Sequence, residues 1–198
     1  MEEYIIRQEG DVAAYETPLP TGTAQRVAEA YVRGFMSTYR PGYLVLTNKN
    51  LYYVALSLSE GATVVALGAK TPFGIGRKIA MSKKLSLEDV YRGIRTPGSL
   101  VIPLRNIRFV EYRKYFGGST LTVGFIQGNT PKVYSFNFRG FKSRKDFYDD
   151  LKRWVLHEGG SVDAKVEIFT PRCPTCGKPA TWIPQYKRWY CYNCQKYL

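Results

Sequence analysis

The stretch that decides the fold runs from Tyr43 to Leu56 and reads YLVLTNKNLYYVAL, two apolar runs around a polar break. Its valines and tyrosines are residue types that favour strands. The break, residues 47–50, contains two asparagines, which tolerate the positive φ that tight turns require. The stretch therefore predicts an antiparallel β-hairpin.

Further segments around this hairpin have strand composition, and several alternate at period two. They lie at residues 4–6, 12–15, 100–112, 120–125 and 132–138. The first two form one or two short strands, and Pro18 ends the second. Gly117-Gly118 and Gly128-Asn129 supply turns between the later strands. Most of the first 158 residues are therefore expected to form β-structure.

Helical signals occur in three segments, at residues 24–33, from Ser86 to about Ile94, and at residues 143–157. Ser86 and Ser143 are suited to be N-caps. The last segment is amphipathic, and we assign its apolar stripe to the core. The stripe consists of Phe147, Leu151, Trp154 and Val155.

The hairpin at 43–56 resembles the first hairpin of PH-like domains of the GRAM and bacterial PH type. There, a glycine and an apolar strand lead to Leu-Thr-Asn-Lys, and an apolar aromatic strand follows. The usual next residue is arginine, which is Asn50 here. The run from Leu100 to Tyr112 resembles the same family. The resemblance implies an α+β, mostly β fold, a bent sheet or barrel closed by a C-terminal amphipathic helix. It does not carry lipid binding over, because no dense basic signature for a phosphoinositide is matched.

All four cysteines lie near the C-terminus as two Cys-x-x-Cys pairs, Cys173 with Cys176 and Cys191 with Cys194. This spacing predicts one tetrahedral zinc ion, and four thiolates leave no open coordination position, so its role is structural. A redox pair would need only one motif near a βαβ pattern, and two disulfides would need an oxidising compartment. The stretch resembles zinc ribbons, which bind nucleic acid or protein in many archaeal and bacterial proteins.

The chain is thus expected to have two domains. Residues 1–158 form the PH-like domain with an insertion at about 57–99, residues 159–165 a linker that leads into a strand, and residues 166–198 the zinc ribbon. The first residues lack the pattern of a secretion signal, and no apolar run has the length of a membrane span. A cytoplasmic protein, peripheral at the inner membrane surface, is expected.

A net charge of +13 favours a phosphate-bearing partner, either nucleic acid or an anionic membrane, over a merely soluble basic surface. The insertion combines apolar and basic residues and suits membrane contact, although a loop folded back on the sheet would use the same residues. The predicted membrane contacts are Phe73, Ile75, Arg77, Lys78, Lys83 and Lys84.

In the ribbon, aromatic and basic residues alternate between the cysteine pairs. Some of the aromatics, Tyr190 and one tryptophan, are expected to pack over the metal site. The others are suited to stack on unpaired bases or to contact a partner. The candidate residues are Trp182, Tyr186, Lys187, Arg188 and Trp189.

Catalysis has little support in the residue inventory. His157 is the sole histidine, no nucleophile or orienting carboxylate is identifiable around it, and no catalytic residue is predicted. We therefore expect a non-enzymatic zinc-binding adaptor or scaffold. Its partner is a protein complex at an anionic membrane surface, with no small-molecule substrate. The alternative is an RNA- or DNA-binding protein that uses a basic face of the sheet domain and the ribbon aromatics.

Overall fold

The computed structural model describes most of the chain outside two long segments. The described residues are 2–16, 41–57, 59–60, 81–128, 130–140, 143–163, 173–178, 180–183, 186 and 188–198. The helix expected at 24–33, residues 58 and 61–80 of the insertion, and the strand that follows the linker, at 164–169, lie outside them.

Seven antiparallel strands form one large sheet in the order β4-β3-β2-β1-β7-β6-β5. Their bounds are β1 Ile5–Glu16, β2 Pro41–Thr47, β3 Asn50–Ala55, β4 Leu100–Pro103, β5 Ile107–Tyr115, β6 Gly118–Gln127 and β7 Thr130–Arg139. The predicted hairpins β2–β3 and β6–β7 are both present. Among the described residues, β4 and β5 are edge strands that do not pair with each other. The sheet is therefore open, and the barrel form of the expected fold is not present.

Strand β1 joins the two halves of the sheet. The one or two short strands predicted here are a single long strand of 12 residues, which pairs with β2 and with β7. Its register on β2 shifts between Glu9 and Val12, where Asp11 has a φ of 58°. An irregularity of this kind bends a strand and increases its twist, which lets one strand pair with partners in two directions.

The predicted β2–β3 turn holds the N-terminal segment of the chain. Thr47 is fully buried, and its Oγ1 donates to Glu3 Oε1 at 2.6 Å. Asn48 is also buried, and its side chain accepts from the Tyr4 N–H at 2.9 Å and donates to the Glu2 carbonyl at 3.0 Å. Thr47 and Asn48, which belong to the motif that carries the family resemblance, therefore hold the N-terminal segment against the turn.

Helix α1 (Leu87–Gly93) begins as predicted. The Ser86 hydroxyl accepts from the Asp89 N–H, and the Asp89 carboxylate accepts from the Ser86 N–H. This reciprocal pair is a capping box. Val90 is buried and packs with Tyr43, Val45, Tyr52 and Val54 of the hairpin.

Helix α2 (Lys145–His157) closes the sheet with the predicted stripe. Phe147, Leu151 and Val155 are buried in the main core, and Trp154 packs against it. The N-cap lies one residue after the predicted Ser143: it is Arg144, which makes no side-chain cap bond, while the Ser143 Oγ accepts from the Lys145 N–H at 3.2 Å. Tertiary contacts also fix this end of the helix. The Arg144 N–H donates to the Tyr112 hydroxyl at 3.0 Å, and its Nε lies 2.9 Å from Glu9 Oε2.

Residues 159–163, expected to belong to the linker, contact the large sheet. The Ser161 N–H donates to the Ile107 carbonyl at 2.9 Å, and the Val162 carbonyl accepts from Val110 at 3.1 Å. Val162 is buried in the main core. The ordered body of the large sheet therefore extends at least to Asp163, which forms a bridge with Phe109.

A second sheet of three antiparallel strands lies near the C-terminus, in the order β10-β9-β8. Its strands are short: β8 Thr181–Ile183, β9 Arg188–Cys191 and β10 Lys196–Tyr197. All four cysteines lie on or beside this sheet, at the ends where its strands begin or turn.

Candidate functional site

The first cysteine pair lies in a tight turn that precedes β8. The Cys173 N–H donates to the Lys178 carbonyl, and the Gly177 N–H donates to the Cys173 carbonyl, both at 2.8 Å. Gly177 has a φ of +68°, a conformation that glycine adopts without a steric penalty. The Lys178 N–H lowers the pKa of the Cys176 thiol by bonding to its sulfur. The turn thus directs a backbone donor at a sulfur atom.

The second pair follows β9. Cys191 is the last residue of that strand, and the Cys194 N–H points at the Cys191 Sγ, 3.4 Å away. Gln195 has a φ of 51°, and β10 then returns so that Lys196 pairs with Cys191. Antiparallel pairing of β8 with β9 brings this turn back beside the first one.

The four sulfur atoms all lie within 4.8 Å of one another. Cys173 Sγ is 3.8 Å from Cys194 Sγ, and Cys176 Sγ is 3.5 Å from Cys191 Sγ. A tetrahedral zinc site with Zn–S bonds near 2.3 Å has sulfur–sulfur distances of about 3.8 Å. All four cysteines are free thiols, and their arrangement fits a tetrahedral metal ion.

The charges of these thiols depend strongly on one another. Burial raises the pKa of Cys173, but N–H donors from Cys176 and Thr175 and two neighbouring thiols lower it to about 6. At Cys194, the hydrogen bond with Cys176 and burial raise the pKa to about 12. Neighbouring sulfurs therefore compete for negative charge, and a divalent cation between them stabilises the thiolate form of every ligand.

The site is also enclosed. Cys173 and Cys191 are buried, and Cys176 and Cys194 are half-buried. Four sulfur ligands complete a tetrahedron, so a metal ion held here has no position left for water or substrate. The donor set can hold a metal and stabilise the small sheet, and it offers no place for metal-centred catalysis.

The predicted contact residues of the ribbon differ in accessibility. Tyr186 and Arg188 are exposed, and Trp189 is half-buried. Trp182 pairs with Trp189 across β8 and β9 in the backbone register, while Lys187 lies outside the described residues. The structure thus brings Arg188, Trp189 and Trp182 together on adjacent strands.

Sequence reasoning named Tyr186 but missed the cluster that it forms with Tyr190, Tyr192 and Tyr197 at the small sheet, which we call the tyrosine cluster. Its rings follow one another at centroid distances of 5.7 Å for Tyr186–Tyr197, 4.9 Å for Tyr197–Tyr190 and 5.0 Å for Tyr190–Tyr192. Tyr192 is 65% exposed and Tyr186 62%. Tyr192 lies between the two cysteines of the second Cys-x-x-Cys turn, and that position was the available signal.

The predicted membrane contacts are only partly visible. Lys83 and Lys84 are exposed, and Lys83 Nζ lies 3.8 Å from Asp89 Oδ2. Phe73, Ile75, Arg77 and Lys78 lie outside the described residues. None of the helices that the structure describes is long and apolar enough to span a bilayer.

His157 is exposed at the end of α2. Its Nδ1 lies 3.0 Å from Glu158 Oε1, and its ring packs edge-on against Trp154 at 5.1 Å. These neighbours are those of a surface histidine at a helix C-terminus, where a positive charge suits the helix dipole.

No protein-family model matches the chain, and no curated protein matches it. Among solved structures, the chain is similar to one described as the Vps36 N-terminal PH domain, with 15% sequence identity and a TM-score of 0.41. The match covers 78% of this chain and 80% of that one.

Proposed function

We propose that this chain is a non-enzymatic, zinc-containing adaptor. Residues 1–163 form its PH-like scaffold and the C-terminal residues a zinc ribbon. The order of the seven strands and the closing helix α2 support the PH-like assignment, because they match the architecture that the sequence resemblance implies. The sulfur distances support zinc, which four thiolates in a tetrahedral arrangement select over harder cations.

The observation that carries this proposal is the enclosed four-thiol site. A metal with four protein ligands stabilises a fold and leaves the surface around it to make contacts. That surface carries the tyrosine cluster and Arg188. Exposed tyrosines beside a basic residue are typical of interface anchors, because each ring offers a large apolar area with little loss of side-chain entropy. We assign this surface to a protein complex.

The membrane component of the proposal rests on charge. A chain of +13 is attracted to anionic lipid surfaces, and Lys83 and Lys84, within the insertion, are exposed. The adaptor is then cytoplasmic and peripheral at the inner membrane surface, where it holds its partner.

The test is a pull-down from a cytoplasmic extract, with and without nuclease, followed by mass spectrometry. The wild-type chain is expected to retain a defined protein complex after nuclease treatment. A Tyr186→Ala/Tyr192→Ala double variant is expected to lose that complex while it keeps one zinc per chain. A Tyr91→Ala variant is the matched control, because Tyr91 is an exposed tyrosine of α1. Equal capture by all three proteins would contradict the proposal.

A second candidate function is binding to single-stranded nucleic acid. It is favoured by the composition of the ribbon, since the sequence from Cys173 to Leu198 contains Lys178, Lys187, Arg188 and Lys196 but no Asp or Glu. Exposed aromatic rings beside cations stack on unpaired bases. Loss of captured partners on nuclease treatment, together with a titration whose affinity falls steeply with salt, would favour this function over the protein complex.

A further inference from the structure

The hairpin between β5 and β6 ends in an exposed aromatic tip. Tyr115 and Gly118 form its last pair, and Phe116 and Gly117 make the turn. Gly117 has a φ of +85°, the value that a type II turn needs at its second central residue. Phe116 occupies the other central position and is 95% exposed. We call residues 113–118 the hairpin tip.

A single exposed apolar side chain is ordinary on a protein surface. Leu156, for example, is 56% exposed on helix α2. Phe116 differs because it lies at the end of a hairpin, where turns usually carry Gly, Pro, Asn, Asp or Ser. At this position Phe116 is not part of the described core.

The sequence around the hairpin tip is rich in basic residues. No Asp or Glu occurs between Glu111 and Asp146, whereas that interval contains the basic residues Arg113, Lys114, Lys132, Arg139, Lys142, Arg144 and Lys145. Arg113 and Lys114 are exposed at the tip itself, and Glu111 pairs with Arg113 at 2.7 Å.

The end of β7 lies beside the same tip. Arg139 pairs with Gly118 in the backbone register, and the Gly140 N–H donates to the Gly117 carbonyl at 2.9 Å. Arg144 is largely buried in its pair with Glu9, and Lys145 belongs to α2, where it pairs with Asp149, so we do not count them toward this surface. The net charge close to Phe116 is positive.

We propose that the hairpin tip docks on an anionic lipid bilayer, with Phe116 inserted at the headgroup boundary and Arg113 and Lys114 among the headgroups. This inference rests on the membrane component of the proposed function and names the surface that performs it. An aromatic ring buried at the interface and basic side chains near anionic lipid stabilise binding together, while either one alone is marginal. Each basic side chain near the surface raises the partition coefficient about fivefold.

We favour a bilayer over a protein groove for two reasons: the positive charge of the hairpin tip and the reach of the exposed Phe116 ring. A protruding ring on a two-residue turn reaches into a soft interface without a matching pocket. The tip itself contains no acidic residue, and the nearby Glu111 is paired with Arg113, so repulsion from anionic headgroups is small. The membrane contacts predicted at 73–84 belong to a different segment, so the hairpin tip is tested separately from them.

The experiment uses the full chain with vesicles of equimolar phosphatidylcholine and phosphatidylserine, compared with vesicles of phosphatidylcholine alone. Sedimentation of wild type is expected with the anionic vesicles and not with the neutral ones. Phe116→Ala is expected to lower the partition coefficient about tenfold, because it removes the inserted ring. Lys114→Glu lowers it by at least a similar factor, since it reverses one charge. Leu156→Ala, the matched control on α2, is expected to bind as wild type does.

A second readout reports on depth. Phe116→Trp is expected to bind as wild type, and its added fluorescence is expected to be quenched by vesicles that contain brominated phosphatidylcholine. Leu156→Trp should show no added quenching. Thermal unfolding of each variant verifies that the fold is intact.

Phe116→Ala binding equal to wild type overturns the proposal, as does the absence of quenching in Phe116→Trp. Failure of wild type to bind anionic vesicles also overturns it, but leaves the adaptor function, which the pull-down tests independently. If Phe116→Ala loses the captured protein complex while vesicle binding is unchanged, the tip contacts protein and the bilayer assignment is wrong.

Discussion

The large sheet and the small sheet differ in where their aromatic side chains lie: the large sheet buries most of them, and the small sheet leaves several exposed. In the large sheet, Tyr53 and Phe136 are buried, and their rings pack 6.1 Å apart in the core. In the small sheet, Tyr186 and Tyr192 are exposed. The large sheet excludes water from an apolar core, whereas the short strands β8, β9 and β10 enclose four sulfur atoms. A fold of that size has too little apolar area to stabilise itself, so its aromatics are available for contacts.

The comparison predicts that metal removal separates the two regions. Cys176→Ser, or a chelator, is expected to unfold the small sheet and leave the large sheet folded, because metal binding supplies about 10 kcal/mol in isolated zinc-finger peptides. Amide signals of residues 173–198 should lose dispersion in NMR spectra, while those of β1–β7 stay in place. Thr175→Ala, in the same turn but not a sulfur ligand, is the control. An unchanged spectrum for Cys176→Ser, or no zinc in purified wild type, would contradict the metal assignment.

A substitution in the core of the large sheet should destabilise that sheet and leave the small sheet folded. Leu151→Ala removes a fully buried side chain of α2 and is expected to cost about 2–5 kcal/mol of unfolding free energy, because a cavity remains. Urea unfolding followed by far-UV circular dichroism measures this loss. Leu156→Ala, on the exposed side of the same helix, should change stability by less than about 0.5 kcal/mol. Loss of zinc from Leu151→Ala would show that the two regions depend on each other.

A smaller effect is expected at the buried turn between β2 and β3. Asn48→Ala leaves the Tyr4 N–H and the Glu2 carbonyl without their side-chain partner, at a cost of about 1–3 kcal/mol. Hydrogen exchange of residues 4–6 should accelerate with the loss. Lys49→Ala, at the exposed neighbouring position, is the control. Equal exchange in both variants would mean that Asn48 does not hold the N-terminal segment.

The smallest effect is a dependence on pH. Burial raises the pKa of Glu3, but hydrogen bonds from Thr47, Asn50, Tyr91 and Tyr52 outweigh it and lower that pKa below its ordinary 4.5. Stability from the ionised carboxylate is therefore fully present above pH 4.5 and is lost as pH falls through the lowered pKa.

Glu3→Gln is expected to flatten this part of the acid-unfolding profile, measured by hydrogen exchange at the β2–β3 turn. Glu2→Gln, with an exposed side chain, serves as the control. Identical profiles for wild type and Glu3→Gln would show that the Glu3 carboxylate makes no pH-dependent contribution there.

Features that depend on neighbouring residues were predictable. The β2–β3 hairpin, the Ser86 capping box and the α2 stripe all follow from patterns within a few residues, and the structure contains each. The grouping of the four cysteines was also predictable, because the spacing of two pairs restricts how their ligands can meet.

Features that depend on residues far apart in the sequence were not predictable. Tyr112 and Glu9 fix the start of α2, and no pattern near Ser143 reveals them. The same holds for Glu3, whose carboxylate is placed by Thr47 and Asn50, and for the open edge of the sheet.

By itself, the sequence determined the strands, the amphipathic helix and the grouping of the four cysteines, because periodicity and spacing express local geometry. Only the tertiary structure decided what remains exposed. It placed Tyr197 against Tyr186 and Tyr190, and it left Phe116 at the end of a basic hairpin. Exposure depends on which elements pack on a side chain, and these elements come from distant parts of the chain.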